Sequence, residues 1–127
     1  MGTYSHFYQL PVYLACRQFR KKIAVITAAF FPKTEGYRLK DQVLRASRSV
    51  TANIAEGFGR FHYQENIQFC RQSRGSLCET FEHMITAFDE KYIPVVILSE
   101  IKQEYEHCLR QINGYIKYLK TAKKEIG

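Results

Sequence analysis

No run of apolar residues in this chain approaches the roughly 18 needed to cross a bilayer as a helix, so no membrane span is expected. Residues Met1 to Gln9 lack the basic-then-apolar layout of a secretory leader. The four cysteines (Cys16, Cys70, Cys78 and Cys108) are far apart, with no Cys-x-x-Cys or Cys/His pair of zinc-binding spacing. They read as reduced, buried thiols of a cytoplasmic protein. The histidines (His6, His62, His83 and His107) fall in different elements, and none is read as a metal ligand or a catalytic base. A catalytic triad and a phosphate-cradling glycine loop are missing, and Glu-x-x-His motifs do not recur on two helices as a carboxylate metal site in a bundle requires. Glu79-x-x-Glu82-His83 has the wrong spacing for a carboxylate metal motif. No enzyme, metal or cofactor is expected, and no residue pattern marks a small-molecule pocket. Strand-like alternation and internal repeats are also wanting. Acids are scarce in one place: residues 1–60 hold three against ten lysines and arginines, whereas residues 61–127 hold nine of each. The whole net charge of +7 therefore belongs to the first half, as a surface for polyanions requires.

What is present is helical periodicity in a chain of one-domain length. Only three prolines punctuate it. Pro11 suits the first position of a helix, Pro32 ends that helix, and Pro94 separates two later ones. Helices are expected at about 11–31, 37–57, 63–91 and 95–123. The first carries Val12, Cys16, Phe19, Ile23, Ile26 and Phe30 on one stripe, with Leu10, Leu14, Val25 and Ala28 as a weaker far-side patch that hints at oligomerisation. The second buries Leu39, Val43, Ala46, Val50 and Ile54. The third uses Tyr63, Ile67, Cys70, Leu77, Phe81, Met84 and Phe88, and the fourth Ile101, Tyr105, Cys108, Ile112, Tyr115 and Leu119. Short connections between long helices imply an all-α, antiparallel, up-down-up-down four-helix bundle.

The stretch from Ser49 to Arg60 carries most of the unusual local chemistry. Asn53 and Glu56 lie three apart on one helix face. An acid in a C-terminal turn opposes the helix dipole, so Glu56 is expected to have a fixed partner, with Arg74 a plausible one. Gly57 is expected to end the helix in a left-handed conformation, and Gly59 to turn the chain. Within Ser73-Arg74-Gly75-Ser76, a mid-helix glycine costs about 1 kcal/mol, so Gly75 and Ser76 are expected to admit a close helix approach.

Ser49-Val50-Thr51-Ala52-Asn53-Ile54-Ala55-Glu56-Gly57-Phe58-Gly59-Arg60 resembles the S-I-P-S-N-I-A-E-G-x-G-R signature of the bacterial four-helix bundle proteins called ribosomal-RNA intervening-sequence proteins. Leu10-Pro11-Val12-Tyr13 is similar to that family's L-x-V-W opening, and the run from Phe69 to Glu79 to its F-L-x-x-A-x-G-S-L-x-E. Asn113-Gly114-Tyr115-Ile116 is similar to its late N-G-L-I. Thr51 and Ala52 stand where the signature has Pro-Ser, and Tyr13 where it has Trp. Thr51 restores a backbone N–H, so the second helix is expected to run straight there. The resemblance implies a homopentamer of four-helix bundles. It also points to a related retroelement accessory protein, the accessory variability determinant, that associates with a reverse transcriptase and with nucleic acid.

Together these readings give a non-enzymatic, oligomeric accessory protein. It would bind RNA or DNA through phosphate contacts from Arg17, Arg20, Lys21, Arg38, Arg45, Arg48 and Arg60. The aromatic residues follow core spacing and are not read as base-stacking platforms. Asn53, Glu56, Gly57, Gly59, Gly75 and Ser76 are assigned to architecture. The alternative is a protein-interaction scaffold that binds no nucleic acid.

Overall fold

The computed structural model describes residues 4–35, 38–60 and 62–126. Four helices account for nearly all of them: α1 (Pro11–Phe30), α2 (Leu39–Phe58), α3 (Tyr63–Asp89) and α4 (Val95–Ile126). Short 3-10 turns at Phe7–Gln9 and Lys33–Glu35 precede α1 and α2, and no strand occurs among the described residues. Each helix packs on two neighbours, α1 on α2 and α4, and α3 on α2 and α4. Pairs such as Ser49–Ser76 and Gly57–Asn66 across α2 and α3 show that these helices run antiparallel. Cys108–Ala15 and Lys22–Glu104 show the same for α1 and α4. The architecture is the expected four-helix bundle.

The helix bounds follow from local chemistry. Pro11 opens α1, and Pro94 stands just before α4, where its carbonyl accepts the N–H groups of Ile97 and Leu98. The reading of α3 to Lys91 runs past the helix end. Lys91 takes φ 66°, and Tyr92 N–H returns to Ala87 O at 2.8 Å while Lys91 N–H returns to Phe88 O at 2.9 Å. That pair of bonds closes a helix through one left-handed residue, here a lysine in a place that favours glycine. Tyr37, the expected start of α2, lies outside the described residues. The helix is unbroken through Thr51, as the missing proline implied.

The expected stripes supply the core. Cys16, Ile23, Val43, Val50, Ile54, Leu77, Met84, Ile101, Ile112 and Leu119 are at most 1 % exposed. Full burial of each large aliphatic is worth about 1.5–3 kcal/mol. Two positions at the ends of α1 depart from the stripes. Phe30 is 40 % exposed, because the chain leaves the helix at Phe31, which takes the buried place against Tyr92 with ring centroids 5.6 Å apart. Leu10, read as part of the outer patch, precedes the helix and turns into the core at 2 % exposure. Leu14, Val25 and Ala28 do lie outside. Cys16, Cys70 and Cys108 are buried free thiols, but Cys78 is exposed, its Sγ 3.6 Å from the Tyr105 hydroxyl. Among the described residues, no helix is long and apolar enough to cross a membrane.

Candidate nucleic-acid interface

The seam between α2 and α3 is the most extensive helix contact, and small residues line it. Gly57 is buried in the last turn of α2. A Cβ there would stand 2.6 Å from Asn66 Oδ1 and 2.9 Å from Phe69 Cβ. Ser73 Oγ donates to Val50 O at 2.7 Å, and Ser49 and Ser76 share a hydroxyl–hydroxyl bond of 2.8 Å. Asn53 Nδ2 donates to Ser49 O and Oγ, both at 2.9 Å. The motif thus forms a hydrogen-bonded seam between helices.

Several residue assignments in this stretch require correction. No described glycine has positive φ, so Gly57 does not end α2 in a left-handed turn; its missing Cβ admits α3 instead. The cap is Gly59, at φ −74°. Gly75 is exposed, with nothing within 4 Å of a Cβ, so Ser73 and Ser76 make the approach that was read into the glycine. Glu56 does not meet Arg74. It is 58 % exposed and pairs with Arg60 at 3.6 Å, whereas Arg74 Nη1 donates to Asn113 Oδ1 at 2.7 Å.

Asn66 is the residue that the sequence reading missed. It is 4 % exposed; its Nδ2 donates to the Tyr115 hydroxyl at 3.1 Å, and its Oδ1 accepts from Cys70 Sγ at 3.6 Å. Its only sequence sign was its place beside Ile67 on the apolar side of α3. Burial pushes the Cys70 thiol up to about 12, with Arg74 pulling slightly the other way. Burial also raises Tyr115 to about 12, partly opposed by the Asn66 bond. Cys16 is raised as well, by its hydrogen bond with Cys108 and by burial.

The seven candidate cations separate into three groups. Arg45 is held by Asp41 at 3.0 Å, one helical turn away. Arg60 clasps the α2–α3 turn, 3.6 Å from Glu56 and from Glu65, with its guanidinium 5.0 Å from the Phe69 ring centroid. Arg20, Lys21 and Arg48 converge from α1 and α2 on a groove of about 250 Å³, with Ala24, Leu44 and Ser47 between them. Arg20 is half-buried, and its Nη1 donates to Thr51 Oγ1 at 2.8 Å. Arg17 lies one turn before Lys21 on the same exposed face of α1, and Arg38 is exposed at the start of α2. Among the described residues, no acid pairs with Arg17, Arg20, Lys21, Arg38 or Arg48. Neighbouring Lys22 points the other way, to Glu100 at 3.4 Å and Glu104 at 3.9 Å on α4.

This geometry can hold anionic oxygens along the α1–α2 seam. The described residues contain no cluster of three or more metal-ligating side chains. No curated protein matches the chain. The family model described as 23S rRNA-intervening sequence protein matches residues 8–114, which include the Ser49–Arg60 motif, the α2–α3 seam and the basic groove. With its four helices and a match over most of its length, the chain belongs to the family of 23S rRNA-intervening sequence proteins.

Proposed function

We propose that this protein is a non-enzymatic, oligomeric accessory protein that binds nucleic acid by its phosphates along the α1–α2 seam. The observation that carries this reading is the convergence of Arg20, Lys21 and Arg48 on one groove, free of acids, with Arg17 a turn away. A guanidinium or ammonium held without a carboxylate partner is available to a phosphate oxygen, and such contacts position a backbone without reading bases. The family name, which refers to 23S rRNA, agrees with an RNA ligand. Arg45 and Arg60, already held by acids, contribute little, so the surface is narrower than the seven-residue set. Leu14, Val25 and Ala28 share the outer face of α1 with Arg17 and Lys21, which supports self-association. No described residue identifies a reverse transcriptase as a partner, and phosphate binding does not require one.

The test is the salt dependence of affinity for RNA and DNA of unrelated sequences. Each phosphate neutralised contributes a slope of about −0.7 to −0.9 in log affinity against log salt. Four or five contacts predict a loss of roughly a hundredfold between about 50 and 200 mM salt, with little difference between sequences. Combined Arg17→Glu, Lys21→Glu and Arg48→Glu substitution should weaken binding by roughly a hundredfold or more at low salt and remove most of its salt dependence while the helical spectrum is kept. Tight, salt-independent binding, or wild-type affinity in that variant, refutes the reading. The scaffold alternative is favoured by the exposed Val95 and Val96 before Ile97, at 67 % and 59 %. It predicts that nuclease-treated protein keeps a specific protein partner and shows no affinity for either polymer.

A further inference from the structure

A second concavity lies away from the basic seam, where the segment leading into α1 passes beside α4. Its volume is about 500 Å³, within the usual range for small-molecule sites. Leu10 and Val12 form an apolar floor, at 2 % and 3 % exposure. Along one face of α4, Arg110, Gly114 and Tyr118 follow each other at four-residue steps, one helical turn apart. Tyr118 lies nearly parallel to Tyr115, with an interplanar angle of 8° and centroids 6.4 Å apart. No acid among the described residues pairs with Arg110.

Gly114 is the revealing member. A glycine inside a helix is less favourable than an alanine would be. The fold does not call for it: its φ is not positive, and nothing lies within 4 Å of a Cβ built there. What the missing side chain does is leave the groove open between a cation and an aromatic face. The order along the helix, cation then gap then ring, matches the order phosphate, sugar and base of a nucleotide. Arg110 would meet the phosphate, the space over Gly114 would take the sugar, and the base would stack on Tyr118.

We propose that this groove is a nucleotide-binding site, taking one base and its phosphate either as a free mononucleotide or as one unit of a single strand. The site shares no residue with the α1–α2 seam and does not depend on it. Equilibrium dialysis against adenosine monophosphate, adenosine and inorganic phosphate tests the free form, and fluorescence anisotropy with a short single-stranded oligonucleotide tests the other. Adenosine monophosphate should bind more tightly than adenosine or phosphate alone. Gly114→Leu should weaken that binding by roughly tenfold or more, the scale of one lost stacking contact, without lowering the melting temperature. Arg110→Ala should weaken adenosine monophosphate and leave adenosine unchanged. The Arg17/Lys21/Arg48 charge-reversal variant should bind adenosine monophosphate as the wild type does, which separates this site from the phosphate-binding seam. If adenosine monophosphate does not bind but Gly114→Leu weakens the oligonucleotide, the ligand is a nucleotide within a strand. If neither ligand binds less tightly to Gly114→Leu, the site does not exist.

Discussion

The two seams that α2 makes with its neighbours use polar residues in opposite ways. Against α3, Ser49, Asn53, Ser73 and Ser76 find partners inside the protein, and the helices close to the distance that only Gly57 permits. Against α1, Arg20 makes one internal bond, to Thr51, while Lys21 and Arg48 pair with no acid among the described residues. The first seam satisfies its own hydrogen bonds and so fixes the helices. The second leaves charge for a ligand. The stretch richest in sequence signal is therefore mostly structural, and the proposed binding surface lies on plainer sequence next to it.

Alkaline pH should strike the closed side hardest. Cys70 rises from 9.0, and Tyr115 from 10.0, to about 12 in the folded protein. Folding thus holds protons that the unfolded chain releases. Their stabilisation is complete below about pH 9 and is lost as pH climbs to 12, from about pH 9 for Cys70 and from about pH 10 for Tyr115, at a rate on the order of 1 kcal/mol per pH unit for each group once it titrates. Denaturant titrations at stepped pH should show this decline, and Cys70→Ala should make its lower part less steep, with buried Cys16 carrying what remains. A curve flat to pH 11 would remove the buried cluster from the account.

Gly57→Ala comes next. Phe69 Cβ and the buried, hydrogen-bonded Asn66 have little room to yield, so overpacking should cost about 1–3 kcal/mol in thermal or chemical denaturation. Gly75→Ala is its mirror: with open space around the site, the better helix former should stabilise the protein by up to about 1 kcal/mol. Equal effects of the two substitutions would erase the distinction between a glycine that admits a helix and one that faces solvent. The smallest change is expected for Glu56→Ala, within about 0.5 kcal/mol, because its partner Arg60 is 43 % exposed and has Glu65 as well. A larger loss would restore the buried role first read into that carboxylate.

The apolar stripes and hence the bundle could be read from the sequence, because helical period alone decides which side of a long helix is greasy. The same rule fails at helix ends. Leu10 and Phe30 kept the spacing but not the geometry, since the chain has left the helix at one and is about to at the other. Glycine was ambiguous for a different reason. Gly57 and Gly75 look alike in sequence, and only the neighbouring helix tells which one faces a backbone and which faces solvent. The partner of Glu56 was in reach, four residues on at Arg60, but a more distant arginine looked as good. Whether Lys21 or Lys22 remains free depends on where α4 places Glu100 and Glu104, which no local pattern encodes. Asn66 escaped notice because a single amide on an apolar flank has no periodicity of its own.

That amide has a consequence for how the bundle chooses its alignment. Asn66 meets a phenol on α4 with one atom and lies against the glycine of α2 with another. Greasy stripes would tolerate α3 turning or sliding by a residue, since one aliphatic replaces another at little loss. A slip of one position swings the amide by about 100° and strands both its donor and its acceptor away from water. Asn66 therefore acts as an index pin, setting the azimuth of one helix against two others and keeping the outer faces in a single arrangement.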